Sequence, residues 1–557
     1  MKKKKLLSLL VTSMLTLNLV GCASTGGKEE KSQGENSTKQ EAAANTLYAN
    51  GGPEEFFEAP WLNPGTFVYN KVLYDRLIFA DEKLDPIPGE GQLAKSYEMS
   101  EDGKNLKFVL RDNIFWHDGK PITAEDIKWS IEYSLKTTVL NNVFGNTFKS
   151  IEGATDYIDG KADEISGIVI DGNNIEIKFE KLAPDALLTF TQFAPLPKKH
   201  LESVDPVKFQ QSEFFRNPIG SGPFKVDEVK MGNYTTLAGF DKYWDGKPAF
   251  NMHLNPSPGD SDPNLVTNAK AGLLDYSYTK NIADVKALEG TKGINMDTVD
   301  VRYTRLFFAN KFKKKDGSAA PLADKRVRQA IMYALDMDKI LDGIFEGAAL
   351  PANSLTPNGP DKVDGLNNYE YNPEKAKELL KEANWDPNTV LDVVYYYTDQ
   401  QTVDLMAIIQ NYLSQVGIKM EFRLVEGDLA SLLWALPEDP VNGPSAVDFD
   451  LCYAATAALS MHEYYDRYQT GAELNSHTPG TPELDKLIEN TKTIDPEEKR
   501  KAFFELQKYE NEELFVMPLY YQPIFVMTSD KIKGMPETFG NPQFNYKWDI
   551  HKWTLAE

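Results

Sequence analysis

The N-terminal segment indicates where this chain folds, and so which interactions can stabilise it. Residues 2–5 are lysines, and residues 6–20 form a largely apolar run, an arrangement typical of an export signal. The run is shorter than the roughly 20 apolar residues that a membrane-spanning helix needs. The whole chain has two cysteines, Cys22 and Cys452. A body that folds outside the cytoplasm with so few cysteines has to rely on large apolar cores instead of disulfides.

The apolar run ends in Leu19-Val20-Gly21-Cys22. This sequence resembles the bacterial lipobox, in which the cysteine receives a lipid and the chain is cleaved in front of it. We therefore expect residues 1–21 to be a lipoprotein signal peptide and Cys22 to be the lipidated N-terminus. The resemblance implies an extracytoplasmic protein anchored to the cell membrane by the lipid on Cys22. The alternative is an ordinary signal peptide followed by a chance cysteine.

Residues 22–46 contain no large apolar side chain before Thr46. Such a segment cannot bury a core, so we expect a flexible tether. Residues 47–557 have an ordinary globular composition, and their length implies more than one core. Loss of the four signal lysines would change the formal net charge of the chain from −23 to −27. That acidity argues against nucleic acid as a partner, because nucleic-acid affinity rests on cationic contacts.

Local patterns predict strands and helices mixed along the body, which indicates an α/β or mixed α+β fold. Leu106, Phe108 and Leu110 alternate with more polar residues, as in a half-buried strand, and residues 168–179 predict a hairpin. Thr123 can cap a helix together with Asp126 three residues later. Another helix is predicted to begin after Asn372, with Pro373 at its first position.

Catalytic and metal-binding patterns are missing from the sequence. It has no H-x-x-x-H, no G-x-S-x-G and no G-x-x-x-x-G-K-[ST]. We therefore expect no enzyme, no cofactor and no metal site. Cys452 lies in an apolar run and is expected to be a small buried residue. His462 and Glu463 beside Tyr464 and Tyr465 form the best polar-aromatic cluster, which a surface loop with two buried tyrosines explains equally well.

Residues 93–126 carry a longer signature, running from Leu93-Ala94 through Phe115-Trp116-His117-Asp118-Gly119 to Asp126. This stretch closely resembles the peptide-binding family (family five) of extracellular solute-binding lipoproteins of ATP-driven importers. Further family-like blocks follow in order at residues 217–224, 243–248, 268–275, 324–331, 371–376 and 518–521. The resemblance therefore extends over essentially the whole body.

This resemblance implies a two-lobed periplasmic-binding-protein-like fold with an extra subdomain in the first lobe. Lobe one would comprise residues 47–300 and 516–557, with the subdomain inserted at about residues 86–205. Lobe two would span residues 301–515. The chain would be a monomer that closes over a peptide and delivers it to the permease subunits of an ABC-type importer.

The family also implies where the ligand lies, as an extended strand between main-chain segments of the two lobes. By position, the lobe-one segment is Leu62, Asn63, Pro64 and Gly65. The lobe-two segment is Ala455, Thr456, Ala457, Ala458 and Leu459. The small side chains of the second segment would let another backbone approach, although a buried core strand would use them equally.

The sequence departs from the family at one recognition position. Relatives place an aspartate for the peptide's α-ammonium group shortly after the lobe-two segment, where Leu459 stands here. Glu463 could take that role if the alignment is shifted. A ligand without a recognised free amine becomes an alternative, as does a surface receptor of the same fold for a signalling peptide, an oligosaccharide or a metal chelate. Trp61, Trp434 and residues 395–397 could stack on sugar rings, or fill the core.

Overall fold

A computed structural model describes residues 45–62, 67–256, 262–299, 303–359, 361–472, 475–493 and 495–556. Its strands are β1 (Thr46–Gly52), β2 (Ile78–Ala80), β3 (Pro86–Gly91), β4 (Ala94–Met99), β5 (Asn105–Leu110), β6 (Ile168–Asp171), β7 (Asn174–Lys178), β8 (Phe224–Lys230), β9 (Tyr234–Gly239), β10 (Asn251–Pro256), β11 (Tyr276–Thr279), β12 (Ile294–Val299), β13 (Tyr303–Ala309), β14 (Leu350–Pro351), β15 (Val390–Tyr395), β16 (Lys419–Leu424), β17 (Leu451–Ala457), β18 (Met517–Tyr521), β19 (Ile524–Ser529), β20 (Ile532–Lys533) and β21 (Thr554–Leu555).

Helices alternate with these strands, as expected for a mixed fold. They are α1 (Val68–Leu73), α2 (Ala124–Ser134), α3 (Asn142–Lys149), α4 (Ala154–Ile158), α5 (Ala186–Gln192), α6 (Lys198–Leu201), α7 (Leu265–Lys270), α8 (Ile282–Leu288), α9 (Lys325–Ala334), α10 (Met337–Phe345), α11 (Pro373–Glu382), α12 (Gln400–Gln415), α13 (Leu429–Leu433), α14 (Met461–Asp466), α15 (Pro482–Asn490) and α16 (Pro496–Glu513). Within the described ranges, no helix is both long and apolar enough to span a membrane.

The strands form two large sheets. The first sheet has the order β12-β19-β11-β1-β10-β9-β8, and the second has the order β14-β18-β13-β17-β15-β16. The first sheet therefore takes its strands from the two ends of the body, whereas the second takes them from the intervening part of the chain. Each sheet mixes parallel and antiparallel pairs, such as β1 with β10 and β13 with β17.

The chain passes between the two large sheets twice. The first passage lies between Val299 and Tyr303, and the return lies between Tyr521 and Ile524. The sequence placed the return at residue 516, but β18 pairs with β13 and so belongs to the second sheet. The expected boundary therefore moves to residues 522–523.

A separate four-stranded sheet, β4-β5-β7-β6, lies within the part of the chain expected to be an inserted subdomain. The burial of β5 alternates as its apolar pattern predicts, with Leu106, Phe108 and Leu110 buried. Strands β6 and β7 pair as the predicted hairpin. Thr123 and Asp126 cap α2 reciprocally, as the predicted capping box requires. These local predictions are confirmed.

Alternating residues of the central strands supply separate cores on the two faces of the second sheet. Phe307 of β13 packs on one face, against the apolar side chains of α9 to α12. Leu306 and Phe308 pack on the other face together with Cys452. Cys452 is fully buried with a free thiol, as expected. A further large core unites the first sheet with the four-stranded sheet.

The glycine-rich block at residues 217–224 is explained by a close backbone approach. Ser221 and Gly222 both donate their backbone N–H groups to the Leu73 carbonyl, at 2.9 and 2.8 Å. A Cβ atom at Gly220 would lie 1.9 Å from that carbonyl oxygen, and one at Gly222 would lie 2.3 Å from the oxygen of Val72. Only glycine fits at these two positions. The block therefore holds the end of α1 against the chain that leads into β8.

Candidate ligand-binding site

The lobe-one segment expected to bind ligand lies mostly outside the described residues. Asn63, Pro64 and Gly65 are not among them, and neither is Cys22. Leu62 is described and is partly buried, with its N–H donated to the Ala59 carbonyl at 3.1 Å. The structure therefore leaves the role expected for this segment as a prediction.

The lobe-two segment forms the end of β17 and the turn after it. In the antiparallel ladder with β13, Ala455 lies opposite Arg305, Thr456 opposite Thr304 and Ala457 opposite Tyr303. The side chain of Ala455 is half-buried and that of Ala457 is exposed, whereas Thr456 is buried. The two alanines thus lie on the opposite face of the sheet from Thr456.

The other edge of β17 is only partly used. Its pairing with β15 covers Leu451 and Cys452, which lie opposite Val393 and Val394. From Tyr453 to Ala457 the described residues supply no strand partner on this side. We call this stretch the open edge. An edge with unpaired N–H and C=O groups can accept an extended chain as a further strand.

Leu459 and Ser460, which follow β17, contact parts of the chain that pack with the first sheet. Leu459 is buried and belongs to the large core of the first sheet. The Ser460 hydroxyl donates to Asp185 Oδ2 at 2.8 Å, and His462 Nδ1 lies 3.1 Å from Asp185 Oδ1. We call this group, Asp185 with Ser460 and His462, the inter-lobe contact.

Asp185 was missed from the sequence, although a local signal existed. It precedes α5 at the N-cap position, where an aspartate normally accepts a hydrogen bond from its own helix. Here the side chain makes no cap bond. Burial alone would raise the pKa of this carboxyl, but the hydrogen bonds and charge of His462 and the bond from Ser460 bring it below its usual value.

The structure does not turn the Glu463 carboxylate toward the open edge. Its Oε2 accepts the Leu459 N–H at 2.6 Å, and its own N–H is donated to Ser460 Oγ at 3.1 Å. Glu463 therefore closes the first turn of α14, and burial raises the pKa of its carboxyl to about 7. The amine-binding role expected for Glu463 stays a prediction, and in this structure the backbone N–H of Leu459 already occupies the carboxylate.

A cavity of about 610 Å³ lies beside the inter-lobe contact. Its wall includes Asp185, Leu459 and His462, and it reaches Lys499 and Arg500 at the start of α16. Ala455, Thr456 and Ala457 do not line it. The cavity therefore adjoins the contact between the lobes and does not coincide with the open edge.

Tyrosines gather around Arg305 on the strand next to the open edge. The guanidinium carbon of Arg305 lies 4.2 Å from the ring centroid of Tyr397, 5.3 Å from that of Tyr303 and 5.7 Å from that of Tyr453. Arg305 Nε donates to Gln522 Oε1 at 2.9 Å. Gln522 lies in the return passage between the sheets, so this tyrosine cage adjoins both the passage and the open edge.

The aromatic residues considered for sugar stacking lie mostly in cores. Trp61 is fully buried, stacks on Phe193 and Phe209, and donates its indole N–H to a backbone carbonyl. Trp434 packs edge-on against Phe308. Tyr397 differs, because its ring faces Arg305. The aromatic residues therefore support packing and one cation site rather than a sugar platform.

One group of possible metal ligands occurs among the described residues, formed by Asp245, Asp549 and His551. Their ligand atoms lie within 4.8 Å of one another. Lys552 Nζ lies 2.9 Å from Asp245 and 3.2 Å from Asp549, so an ammonium group already neutralises these carboxylates. We assign no metal to this group.

Curated relatives resemble this chain over much of its length. The chain is 27% identical over 374 residues to an ABC transporter peptide-binding protein of Brucella ovis, an alignment that covers 66% of each chain. The chain thus spans just under two thirds of the first relatives it matches. It is 26% identical over the full length of both chains to the oligopeptide-binding protein AppA of Bacillus subtilis.

Solved structures share the fold. The substrate-binding protein CtaP of an ABC transporter from Listeria monocytogenes superposes with a TM-score of 0.74 at 23% identity, covering 92% of this chain and 99% of that one. AppA of Bacillus subtilis, in complex with a nonapeptide, gives 0.70 at 22% identity with the same coverage.

The family model for bacterial extracellular solute-binding proteins, family 5, matches residues 90–468. That range contains the whole signature at residues 93–126, the four-stranded sheet, the tyrosine cage around Arg305 and the whole of β17. The match covers more than half of the chain and agrees with the fold of the solved relatives. This chain belongs to family 5 of the bacterial extracellular solute-binding proteins.

Proposed function

We propose that this protein captures peptides outside the cell and delivers them to an ABC-type importer. Membership of the solute-binding family supports a binding role rather than a catalytic one. The relatives add the chemical class of ligand, since the Brucella and Bacillus proteins are named for peptide and oligopeptide binding. The similarity to the oligopeptide-binding protein extends over the full chain.

The observation that carries the proposal is the open edge of β17 from Tyr453 to Ala457. A peptide added there would bind through main-chain hydrogen bonds, which depend little on ligand sequence. The small side chains of Ala455 and Ala457 leave room for the approach of a second backbone. The same stretch lies next to the passages between the sheets, where closure of two lobes would enclose a ligand.

The two lobes correspond, in this proposal, to the parts of the body built on the two large sheets. The first lobe takes in residues 47–299 and 524–556, and the second takes in residues 303–521. The passage at residues 522–523 is then one strand of the hinge. The inter-lobe contact of Asp185 with Ser460 and His462 stabilises the closed form.

Attachment to the membrane is proposed through Cys22. A lipid on this cysteine, followed by the polar segment to residue 46, would hold the receptor near the permease. In cells grown with labelled palmitate, the wild-type chain should acquire label and Cys22→Ala should not. Equal labelling of both chains would contradict this part of the proposal without affecting peptide capture.

Native mass spectrometry of protein purified without denaturation tests the ligand class. We expect co-purified masses that fragment as peptides and disappear after unfolding and refolding. The refolded, empty protein should then rebind synthetic peptides with a rise in melting temperature. A protein that carries no peptide, and whose melting temperature rises only with sugars, would contradict the proposal.

Substitution at the open edge tests its location. Ala457→Trp places a large side chain on an exposed position of the edge and should weaken peptide binding at least about tenfold by blocking strand addition. Val390→Trp is a matched control, because Val390 is 43% exposed on β15 of the same sheet. Equal affinities of the two variants in titration calorimetry would place the ligand elsewhere.

A further inference from the structure

The guanidinium group of Arg305 retains an unused donor. Its Nε is bonded to Gln522, whereas its Nη1 is buried and has no hydrogen-bond partner. Among the described residues, no carboxylate lies within 4.0 Å of this group to form an ion pair. An arginine is permanently charged and presents its five N–H donors in the plane of the guanidinium.

The surrounding tyrosines do not give Arg305 Nη1 a hydrogen-bond acceptor. A cation is attracted to the face of an aromatic ring, so the rings of Tyr303, Tyr397 and Tyr453 favour the charge of the guanidinium. Two hydroxyl groups of the cage are hydrogen-bonded to other tyrosines. Tyr453 bonds to Tyr520 at 2.6 Å, and Tyr397 bonds to Tyr396 at 3.1 Å. A buried donor without an acceptor is costly, and native proteins rarely leave one.

A second cation approaches the same place from the other lobe. Lys280 lies just before α8, in the part of the chain that builds the first sheet, and its Nζ is 4.5 Å from the ring centroid of Tyr303. Arg305 lies on β13 of the second sheet. Tyr303 therefore has a positive charge from each lobe beside it, in a chain whose formal net charge is −23. Arg305 has no carboxylate within 4.0 Å among the described residues, and it is this charge that favours an anionic group.

The position of Arg305 relates this charge to the ligand. Arg305 pairs with Ala455 in the ladder between β13 and β17, one strand away from the open edge. Its bond to Gln522 holds the side chain at the return passage between the sheets. An anion bound by Arg305 would thus lie between the lobes and close to a peptide added along β17.

We propose that Arg305 binds a carboxylate of the captured peptide through Nη1, so that the receptor selects for a negative charge at a fixed position along the ligand. The inference rests on the proposed peptide capture and adds a determinant of specificity to it. Two sources supply the same chemistry, the C-terminal carboxylate of the peptide and an acidic side chain. In either case the tyrosine cage excludes water from the ion pair and strengthens it.

The alternative is that Arg305 serves packing alone. Its guanidinium would then fill the space between the tyrosines and fasten the return passage through Gln522. Such a scaffold residue would influence stability, but it would not make the receptor discriminate between peptides that differ only in a carboxylate. Ligand discrimination therefore separates the two roles.

The test uses three synthetic libraries of peptides of five to nine residues, built from glycine, alanine, valine, leucine, serine and asparagine. The first library has free C-terminal carboxylates and the second has C-terminal amides. The third has C-terminal amides with one aspartate at varied interior positions. Each is offered to the empty protein, and the bound fraction is measured by native mass spectrometry and titration calorimetry.

We expect the wild-type protein to prefer the first or the third library over the neutral amides by roughly 10- to 100-fold, the range for a charge-assisted hydrogen bond. The preferred library identifies the source of the carboxylate. Arg305→Gln should lose the preference between the charged libraries and the neutral amides. Arg305→Lys should keep part of the preference, because the positive charge remains but the planar pair of guanidinium donors is lost.

Arg423→Gln is the matched control. Arg423 lies on β16 of the same sheet, is exposed, and already pairs with Asp392 at 2.8 Å. This variant should retain the wild-type preference. If the wild type binds all three libraries equally, or if Arg305→Gln keeps the preference, the inference is wrong while peptide capture stands. If the wild type binds none of the three libraries, the proposed peptide capture is wrong, and so is the inference that rests on it.

Should Arg305→Gln fail to fold, the wild-type discrimination and the Arg305→Lys variant still decide between the two roles.

Discussion

Two arginines, one beside each large sheet, differ in how completely the protein satisfies their hydrogen-bond donors. Arg76 in the first lobe is fully buried and donates to the backbone carbonyls of Asn70, Tyr74 and Gln192. Arg305 in the second lobe has one side-chain bond and an unpaired Nη1. The first arginine is part of the scaffold, whereas the second has bonding capacity that a ligand can use.

The largest expected effect is on folding stability at Arg76. Arg76→Gln should lower the free energy of unfolding by about 3–5 kcal/mol, because several buried carbonyls lose their donor. Arg305→Gln in the ligand-free protein should cost less than about 1 kcal/mol. Urea titrations followed by circular dichroism measure both. Similar losses of unfolding free energy in the two variants would mean that Arg305 is a structural residue like Arg76.

A smaller effect is expected at the inter-lobe contact. Asp185→Asn should lower the unfolding free energy by about 1–2 kcal/mol at pH 7, because the folded state lowers the pKa of this carboxyl. An acid with a lowered folded pKa contributes stability above its unfolded pKa and loses it as the pH falls through the folded value. The difference between wild type and variant should therefore shrink below about pH 4.

Asp205→Asn is the control for this pH dependence. Asp205 is exposed and accepts only the local N–H of Val207 at 3.1 Å. It should change the unfolding free energy by less than about 0.5 kcal/mol. A pH profile for Asp185→Asn that parallels that of Asp205→Asn would show that the inter-lobe contact contributes nothing to stability.

The last expected effect concerns Glu463, an acid whose carboxylate accepts a hydrogen bond from the backbone of Leu459. Burial raises the pKa of this carboxyl from 4.5 to about 7. A raised folded pKa means that the wild type loses stability as the pH rises between these values. Glu463→Gln keeps an oxygen acceptor for the Leu459 N–H but has no carboxyl to ionise. Its stability should therefore not fall as the pH rises. The variant should match the wild type near pH 4 and exceed it by at least about 1 kcal/mol at pH 8, because a pKa difference of one corresponds to about 1.4 kcal/mol.

Glu463→Ala serves as the comparison, because it removes the acceptor as well as the charge. It should be less stable than Glu463→Gln at every pH. If the wild type and Glu463→Gln have parallel stability profiles from pH 4 to pH 8, the carboxyl does not titrate as its burial implies.

Features that depend on neighbouring residues could be predicted from the sequence. The capping box of Thr123 with Asp126 needs residues three apart, and the alternation in β5 follows from a period of two. The family resemblance also rested on contiguous blocks. The return passage was placed too early, because only the pairing of β18 with β13, more than 200 residues apart, assigns that strand to the second sheet.

The candidate site was predictable only in part, for the same physical reason. Asp185 meets Ser460 across a separation of 275 residues, so no local pattern reveals the pair. Arg305 carried a signal that could have been used, since it interrupts the apolar face of β13 shared by Tyr303 and Phe307. An arginine at such a position calls for a partner, and the sequence does not show where one lies.

The burial of Leu459 in the first-lobe core has a consequence for affinity. If the lobes separate, this side chain returns to water, so apolar contact favours the closed arrangement even when no ligand is present. The apparent dissociation constant of a ligand equals its intrinsic value divided by the fraction of receptor that is already competent to bind. Leu459 therefore influences the fraction of ligand-free receptor that is closed. A polar residue there would raise the apparent dissociation constant of every ligand by the same factor and leave the order of their affinities unchanged.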